Sequence, residues 1–310
     1  WADLETWRTA ARQRLLDCLA RPDTGGPPEV SVERQINYNG LHIEELSWQL
    51  PYGPPTRAIF LKPAGSNGKL PAVLALHDHA VNKYFGAAKI TRLSDSLHPV
   101  MVEHQLVSYS GRAWANDLAK RGYAVLVPDA FGFASRRVRL DMVPDEIRLT
   151  PNPGESDIEA YNRWAAGHEP ILAKSLFAAG TTWPGLFLAE DQRALDVLCG
   201  RDDVDPRRVG CGGLSGGGLR TVYLAGADAR IRCAVCAGMM TTWRDFLLHK
   251  SFTHTWMVYI PLLPRDLDYP EILGLGAPRP ALVLNNRDDE LFTLSEMERA
   301  NGILKELYHK

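Results

Sequence analysis

The stretch Gly213-Leu214-Ser215-Gly216-Gly217 is the feature from which the rest of this chain can be interpreted. A short apolar run, 208–212, precedes it, and a second apolar segment, 219–225, follows it. This pattern predicts a strand, a tight turn and a helix. A G-x-S-x-G sequence at such a junction is typical of a nucleophile elbow, in which a strained turn lifts the serine hydroxyl clear of the sheet. Glycines beside the serine leave the room that this turn needs.

The alternative is a glycine-rich turn that simply joins a strand to a helix, since G-x-S-x-G also occurs by chance. The context favours catalysis, because Asp205-Pro206 is typical of a helix end and residues 209–211 fit a buried parallel strand. We therefore predict that Ser215 is a catalytic nucleophile. At the amino end of the next helix, free N–H groups and the helix dipole would favour the negative charge that it creates.

The composition is that of an ordinary globular protein of 310 residues, with 45% hydrophobic and 23% charged residues. Lys and Arg number 35 and Asp and Glu 37, so the net charge of −2 gives no electrostatic reason to expect nucleic acid as a partner. No apolar run is long enough to span a membrane. The chain starts at Trp1 rather than Met, so cytoplasmic and secreted locations both stay open, as does the oligomeric state.

Alternating strand and helix patterns predict the architecture. Three short alternating stretches are typical of antiparallel edge strands: 30–38, 41–50 and 56–61. Five apolar runs fit central parallel strands: 71–77, 124–129, 208–214, 231–238 and 280–287. We therefore predict an α/β fold with a mainly parallel, doubly wound sheet, helices on both faces and antiparallel N-terminal edge strands.

Two long segments do not follow this alternation. Residues 131–186 contain many helix breakers, and residues 239–264 are rich in aromatic side chains. Because long connections of this kind usually carry function, we predict a cap-like excursion over 131–186 and a second over 239–264, within a single domain of residues 1–310. Their aromatic rings could stack on sugars, line an acyl pocket or simply pack within a cap.

A serine hydroxyl becomes a strong nucleophile only when a base takes its proton and an acid orients that base. In this architecture the acid and then the histidine follow the serine along the chain. Asp288 and Asp289 follow the last predicted strand. Asp289 is favoured because two further residues carry it away from the strand, and a solvated acidic turn is the alternative.

An oxyanion hole needs two N–H donors, and the predicted donors are the backbone amides of Gly216, directly after the nucleophile, and His79, after the strand 71–77. His77 and His79 also have the spacing of a metal pair, but no acidic or cysteine partner lies nearby at ligand spacing. We therefore predict neither a metal nor a cofactor.

Taken together, these pieces resemble α/β-hydrolases and, more narrowly, the dienelactone-hydrolase and acetyl-xylan-esterase-like branch of esterases. The pieces that carry the resemblance are Leu76-His77-Asp78-His79, Lys83-Tyr84-Phe85-Gly86, 202–209, 212–218, 240–243 and 289–293. The resemblance implies Ser215 as nucleophile, Asp289 as acid, and Gly216 and His79 as oxyanion donors. Dienelactone hydrolases carry cysteine where this chain has serine, which favours an esterase.

One departure from the family pattern concerns the histidine. Only His309 follows Asp289, at the end of a helical pattern, whereas in the family the histidine follows one further strand. We predict that the base, a final strand and a closing helix lie after residue 310. His309 and His254 are the alternatives, because a triad is defined by geometry rather than by order.

The sequence thus predicts a serine carboxylic-ester hydrolase that works through an acyl-enzyme on a small-molecule or carbohydrate ester. A small acyl group on a carbohydrate is the substrate that the resemblance favours. The alternatives are a serine peptidase of the prolyl-oligopeptidase type, for which no propeller-sized extra domain is present, and a binding protein on a hydrolase scaffold.

Overall fold

A computed structural model describes residues 4–309 of the chain. Its strands are β1 (Ser31–Tyr38), β2 (Leu41–Trp48), β3 (Thr56–Pro63), β4 (Leu70–Leu76), β5 (Ala124–Pro128), β6 (Val204–Leu214), β7 (Ile231–Ala237) and β8 (Ala281–Leu284). Its α-helices are α1 (Leu4–Leu19), α2 (Pro99–Tyr109), α3 (Trp114–Lys120), α4 (Asp157–Ala178), α5 (Trp183–Cys199), α6 (Gly216–Ala227), α7 (Tyr269–Gly274) and α8 (Leu294–His309).

All eight of these strands belong to one sheet, in the order β1-β2-β3-β5-β4-β6-β7-β8. Strands β1, β2 and β3 pair antiparallel, and β3 pairs antiparallel with β5. From β5 to β8 every pairing is parallel. The predicted fold class, a mainly parallel sheet with antiparallel N-terminal edge strands, is therefore confirmed.

Helices cover both faces of this sheet, which is why its central strands are continuous apolar runs. Strand β5 is buried along its whole length, whereas most residues of the edge strand β1 are exposed. On one face Leu15 and Leu19 of α1 join a core shared with α5 and α6. On the other face Ala115 and Ala119 of α3 pack against β3 and β5. The core is thus divided by the sheet into two layers.

Local helix boundaries differ from the sequence expectation at two places. The predicted helix end at Asp205-Pro206 is wrong, because α5 ends at Cys199 and both residues belong to β6. Pro206 is tolerated there because the pairing of β6 with β4 is irregular between Val204 and Val209. The 22-residue helix α4 lies inside the segment predicted as an irregular cap, although it contains Pro170, a residue that usually ends helices.

The ends of the predicted 1–310 domain, residues 1–3 and 310, lie outside the described residues, as would the strand and helix expected after residue 310. Among residues 4–309, none of the helices is both long and apolar enough to span a membrane. The second predicted excursion, 239–264, contains a π-helical turn, Asp245–His249, and a 3₁₀ turn, Trp256–Val258. Both turns precede α7. They contribute to the wall of a cavity at the carboxyl ends of the parallel strands, which is described below.

Candidate active site

Ser215 occupies the turn between β6 and α6, where the sequence predicts a nucleophile elbow. Its backbone has φ 53° and ψ −114°, a conformation that is strained for a residue with a side chain. The Ser215 N–H donates to the carbonyl of Ala237 at the end of β7, at 2.8 Å, and the Ser215 carbonyl accepts from Leu219 N at 2.9 Å. The turn is therefore held between a strand and a helix, and the half-buried serine stands at its apex.

Two glycines of the elbow lie against the carboxyl end of β4. A Cβ atom at Gly217 would stand 2.0 Å from the carbonyl oxygen of Leu76, and one at Gly213 would stand 2.3 Å from the same oxygen. No real side chain tolerates such distances, so both positions require glycine. This close approach brings the loop after β4 next to the serine.

The two predicted oxyanion donors lie side by side. A Cβ atom at Gly216 would stand 3.1 Å from the backbone nitrogen of His79. Gly216 is the first residue of α6, so its N–H has no acceptor within the helix. Among residues 4–309, neither the Gly216 amide nor the His79 amide donates a hydrogen bond to a protein group. Two neighbouring free N–H groups beside a serine are what an oxyanion hole requires.

The loop that carries His79 has a strained backbone and a buried cation behind it. Ala80 has φ 40° and Val81 φ 53°, and such values cost on the order of 1–3 kcal/mol each for residues with side chains. Lys89, which is fully buried, donates from Nζ to the carbonyls of Asp78 and His79, both at 2.8 Å. Burial lowers the pKa of Lys89 to about 8.

Asp78 supplies the negative charge that faces this lysine. Its Oδ1 accepts hydrogen bonds from His104 Nε2 at 3.2 Å and from the hydroxyl of Tyr109 at 2.5 Å, both on α2, and its Oδ2 lies 3.6 Å from Lys89 Nζ. Burial alone would raise the pKa of Asp78, but Lys89 and these donors outweigh it and hold the pKa well below its usual range. The residue before His79 is therefore anchored as an ionised carboxylate.

A cavity of about 190 Å³ opens beside Ser215. Its wall includes Gly216 and His79 on the oxyanion side. Most of the remaining lining is apolar and includes Phe133, Phe187, Leu219, Met239, Phe246 and Met257. The reacting end of a substrate would thus meet the serine in a small, largely apolar space.

Asp289 lies in the loop after β8, as expected, but the structure does not bring its carboxylate into the cavity. Its Oδ1 accepts from Leu291 N at 2.8 Å, and the next residues, Leu291 and Phe292, line the cavity with Ser215. The neighbouring Asp288 is exposed, whereas Asp289 is half-buried. Of the two acids considered from the sequence, Asp289 is thus the one held against the rest of the loop.

Side chains of the second excursion hold the loop that carries Asp289. Asp245 is fully buried and accepts from Thr293 N at 2.9 Å and from Thr293 Oγ1 at 2.7 Å. Lys250 Nζ donates to the Glu290 carbonyl at 2.6 Å, and His254 Nε2 to the Leu291 carbonyl at 2.9 Å. The sequence analysis missed Asp245, because nothing in its local pattern distinguishes it from a surface aspartate.

The two alternative histidines lie in very different places. His254 lines the cavity, with its ring edge-on to Phe246 and stacked on Phe292, and its burial lowers its pKa. His309 ends α8, next to Tyr308, whose hydroxyl donates to the Arg279 carbonyl just before β8. His309 therefore lies near the amino ends of the parallel strands, at the edge of the sheet opposite the carboxyl ends that carry Ser215. Within residues 4–309, no histidine makes a hydrogen bond to the Ser215 hydroxyl.

The pair His77 and His79 is engaged by protein groups. His77 Nδ1 donates to the Asp78 carbonyl at 3.0 Å, and its Nε2 accepts from Ala130 N at 3.1 Å. His79 Nε2 donates to Glu169 Oε1 at 3.1 Å, a partner on α4 that the sequence analysis missed. In the part of the chain that the structure describes, no group of three His, Cys, Asp or Glu side chains is arranged to hold a metal ion.

Comparisons with known proteins bear on the fold and on the class of enzyme. No protein-family model matches the chain. "Putative hydrolase YtaP" of Bacillus subtilis is 27% identical over 304 residues, which cover 97% of this chain and 88% of the relative. A crystal structure from Bacteroides fragilis, described as "a putative acetyl xylan esterase", superposes with a TM-score of 0.67 at 17% identity, covering 97% of this chain and 72% of that one.

A glucuronoyl esterase from Solibacter usitatus superposes with a TM-score of 0.64 at 16% identity, covering 99% of this chain and 81% of that one. Together with the strand order, these likenesses show that the chain has the α/β-hydrolase fold. The resemblance to hydrolases and esterases expected from the sequence is confirmed, and it agrees with the predicted hydrolase of ester bonds.

The same substitution should have opposite effects at two glycines. Gly217→Ala should lower the free energy of unfolding by about 1–3 kcal/mol or prevent folding, because its methyl group would overlap the Leu76 carbonyl. Gly302→Ala, inside α8 where an added Cβ atom would meet no described atom within 4 Å, should raise this free energy by about 0.5–1 kcal/mol through helix propensity. Urea unfolding measures both, and equal effects at the two sites would contradict the close approach.

Acid should weaken the protein partly through Glu169. Burial would raise the pKa of this carboxyl, but the His79 hydrogen bond and Lys83 outweigh it and lower the pKa from 4.5 to about 2. Between these values the unfolded chain binds the extra proton, so stability falls as pH falls. We therefore expect Glu169 to contribute about 3 kcal/mol above pH 5, which should be lost towards pH 2.

Urea unfolding between pH 6 and pH 3 checks this. The difference in unfolding free energy between wild type and Glu169→Gln should be largest at pH 6 and should shrink as the pH falls. A difference that stays constant over this range would show that Glu169 has an ordinary pKa.

Proposed function

We propose that this protein, which has the α/β-hydrolase fold, hydrolyses carboxylic esters through an acyl-enzyme formed on Ser215. The observation that carries the proposal is a strained serine at the strand–helix elbow beside the backbone amides of Gly216 and His79, which donate to no protein group within residues 4–309. Such a serine stands where a bound carbonyl carbon could be attacked. The amides stand where the resulting oxyanion would form.

The reaction has two halves. The Ser215 oxygen attacks the ester carbonyl as a base takes its proton, and the tetrahedral oxyanion accepts hydrogen bonds from Gly216 and His79. Collapse of this intermediate breaks the bond to the alcohol, which leaves with the proton from the base. Water then attacks the acyl-enzyme in the same way, and the carboxylic acid leaves with Ser215 restored.

We assign Asp289 as the acid that orients the base. It follows β8 at the same edge of the sheet as Ser215, and the loop that carries it also supplies Leu291 and Phe292 to the cavity. In this architecture the histidine follows the acid along the chain, so we expect the base after Asp289. Since His309 lies at the opposite edge, we propose that the base comes from outside residues 4–309.

His254 has a different role in this proposal. Its Nε2–H is already used by the Leu291 carbonyl, and its ring packs against Phe246 and Phe292. These contacts support the wall of the cavity that joins the second excursion to the acid loop. We therefore assign His254 to holding that wall rather than to accepting the serine proton.

The proposed substrate is an ester with a small acyl group. The cavity of about 190 Å³ is smaller than the ~300–1,000 Å³ of sites that enclose a whole drug-sized ligand, so it suits a short acyl chain. The similar proteins described as an acetyl xylan esterase and a glucuronoyl esterase favour an alcohol that is part of a carbohydrate.

Replacement of the serine tests the proposal directly. Ser215→Ala should lower the turnover of p-nitrophenyl acetate by about 10³-fold or more, because the acyl-enzyme cannot form. It should also abolish labelling by a fluorophosphonate, which reacts with the serine hydroxyl. Steady-state kinetics and the intact mass of the labelled protein are the measurements, made on the natural chain. Cleavage of a peptide amide without ester turnover would instead indicate a peptidase, and neither signal in the wild type would indicate a binding protein.

The two neighbouring aspartates provide a matched test of the acid. Asp289→Asn should lower kcat by about 10³–10⁴-fold, because an amide no longer holds and stabilises the protonated histidine. Asp288→Asn should leave kcat within about threefold, since this exposed carboxylate faces solvent. Equal losses in both variants, or a loss confined to Asp288→Asn, would show that the acid has been assigned to the wrong residue.

A further inference from the structure

Glu169 joins three separate parts of the molecule through one buried carboxylate. It lies on α4 and is 6% exposed. Its Oε1 accepts from His79 Nε2 at 3.1 Å and forms an ion pair with Lys83 Nζ at 2.5 Å. Its Oε2 accepts from Thr255 Oγ1 at 2.6 Å and from Trp256 N at 3.0 Å. Glu169 thus accepts three hydrogen bonds and faces one ammonium group.

The part that needs such a partner most is the loop after β4. Ala80 and Val81 follow His79 with φ values of 40° and 53°. A left-handed conformation is rare for a β-branched residue such as Val81, and this side chain is 61% exposed, so packing does not hold it. Strained residues persist only where their surroundings impose the conformation. The restraints on this loop come from its neighbour His79, whose ring packs edge-on against Phe133 and makes the polar contacts described next.

Contacts at both ring nitrogens fix the side chain of His79. Val81 N–H donates to His79 Nδ1 at 3.1 Å, so that nitrogen carries no proton. The proton is then on Nε2, which donates it to Glu169. The ring thus bridges the strained backbone on one side and α4 on the other. If Glu169 lost its charge, this bridge would lose its stronger, charge-assisted end.

The backbone of the same residue is fixed from the opposite direction. Lys89 Nζ binds the Asp78 carbonyl, and in a trans peptide the next N–H points the opposite way from the carbonyl. The His79 N–H therefore points away from the buried lysine. Gly216 is its neighbour, since a Cβ atom added to Gly216 would lie 3.1 Å from the His79 nitrogen. Lys89 sets the peptide plane, and Glu169 keeps the residue from turning about it.

We propose that Glu169 is a positioning residue, which directs the His79 amide towards the oxyanion of the Ser215 reaction by holding the His79 ring. Through Thr255 and Trp256 the same carboxylate also anchors the segment next to His254, so the oxyanion loop and the opposite cavity wall share one support. This inference rests on the proposed function, because an oxyanion donor matters only if the serine reacts.

The test compares two buried glutamates. Glu169→Gln keeps the shape of the side chain but places an N–H₂ group against donors. It should lower kcat about 10–100-fold, less than the ~10²–10³-fold for outright loss of an oxyanion donor, with KM within about threefold. The affinity of a trifluoromethyl ketone, which forms a tetrahedral adduct on the serine, should fall by the same factor as kcat/KM.

The matched control is Glu190→Gln. Glu190 is also buried, but it pairs with Arg136 and does not line the cavity. The Glu190→Gln variant should be less stable than the wild type, with kcat within about threefold of the wild-type value. Hydrogen exchange gives a readout that needs no activity: amides of residues 78–82 should exchange faster in Glu169→Gln and not in Glu190→Gln.

Each outcome decides a different claim. Unchanged exchange at residues 78–82, or faster exchange with unchanged kcat and ketone affinity, would overturn the positioning role. A wild type without ester turnover would overturn the proposed function, and the exchange data would still show whether Glu169 holds the loop. If Glu169→Gln fails to fold, Thr255→Val removes one donor and should give a several-fold lower kcat with the same local rise in exchange.

Discussion

The contact between the carboxyl end of β4 and the elbow after β6 is the constraint on which the site depends. The Leu76 carbonyl lies so close to Gly213 and Gly217 that a Cβ atom at either position would overlap it. Because β4 and β6 are neighbours in the sheet, this contact places the loop after one strand beside the turn after the other. The amides of His79 and Gly216 become neighbours as a result. A side chain at Gly213 or Gly217 would push these two amides apart.

Around this contact the protein buries several charged side chains. Asp78, Lys89 and Glu169 are each at least nine-tenths buried, although removing a charge from water costs several kcal/mol. Each has compensating partners: the lysine binds two carbonyls, and the carboxylates accept from histidine, tyrosine, threonine or backbone donors. This polar network surrounds a strained loop in which the Val81 side chain is mostly exposed. The free-energy cost of burying these charges is accepted beside the proposed reacting groups and not within the layers of the core.

The second excursion does more than cover the cavity. Asp245, Lys250 and His254 all bind the loop after β8, so the position of Asp289 depends on a segment that lies before it in the chain. Thr255 and Trp256 of the same segment bind Glu169 and, through it, the loop that carries His79. One segment therefore supports both the acid side and the oxyanion side of the cavity. The two sides are mechanically linked through it.

The elbow, the mainly parallel sheet and its antiparallel edge strands could be predicted from the sequence alone. These follow from local properties, namely glycine spacing and hydrophobic periodicity, which adjacent residues express without knowledge of the rest of the chain. Helix α4 was not predicted because Pro170 is a residue that usually ends helices. Pro206 was assigned to a helix end, although it lies in β6 where the pairing is irregular.

The contacts between distant side chains could not be predicted in this way and follow from the packing of the folded chain. Glu169 is 90 residues from His79, and no local pattern links them. Sequence order left His254 and His309 as comparable alternatives, whereas folding places His254 in the cavity and His309 at the opposite edge of the sheet. The physical reason is that a buried charge is positioned by partners from several elements, and the packing of those elements, rather than their spacing along the chain, brings the partners together.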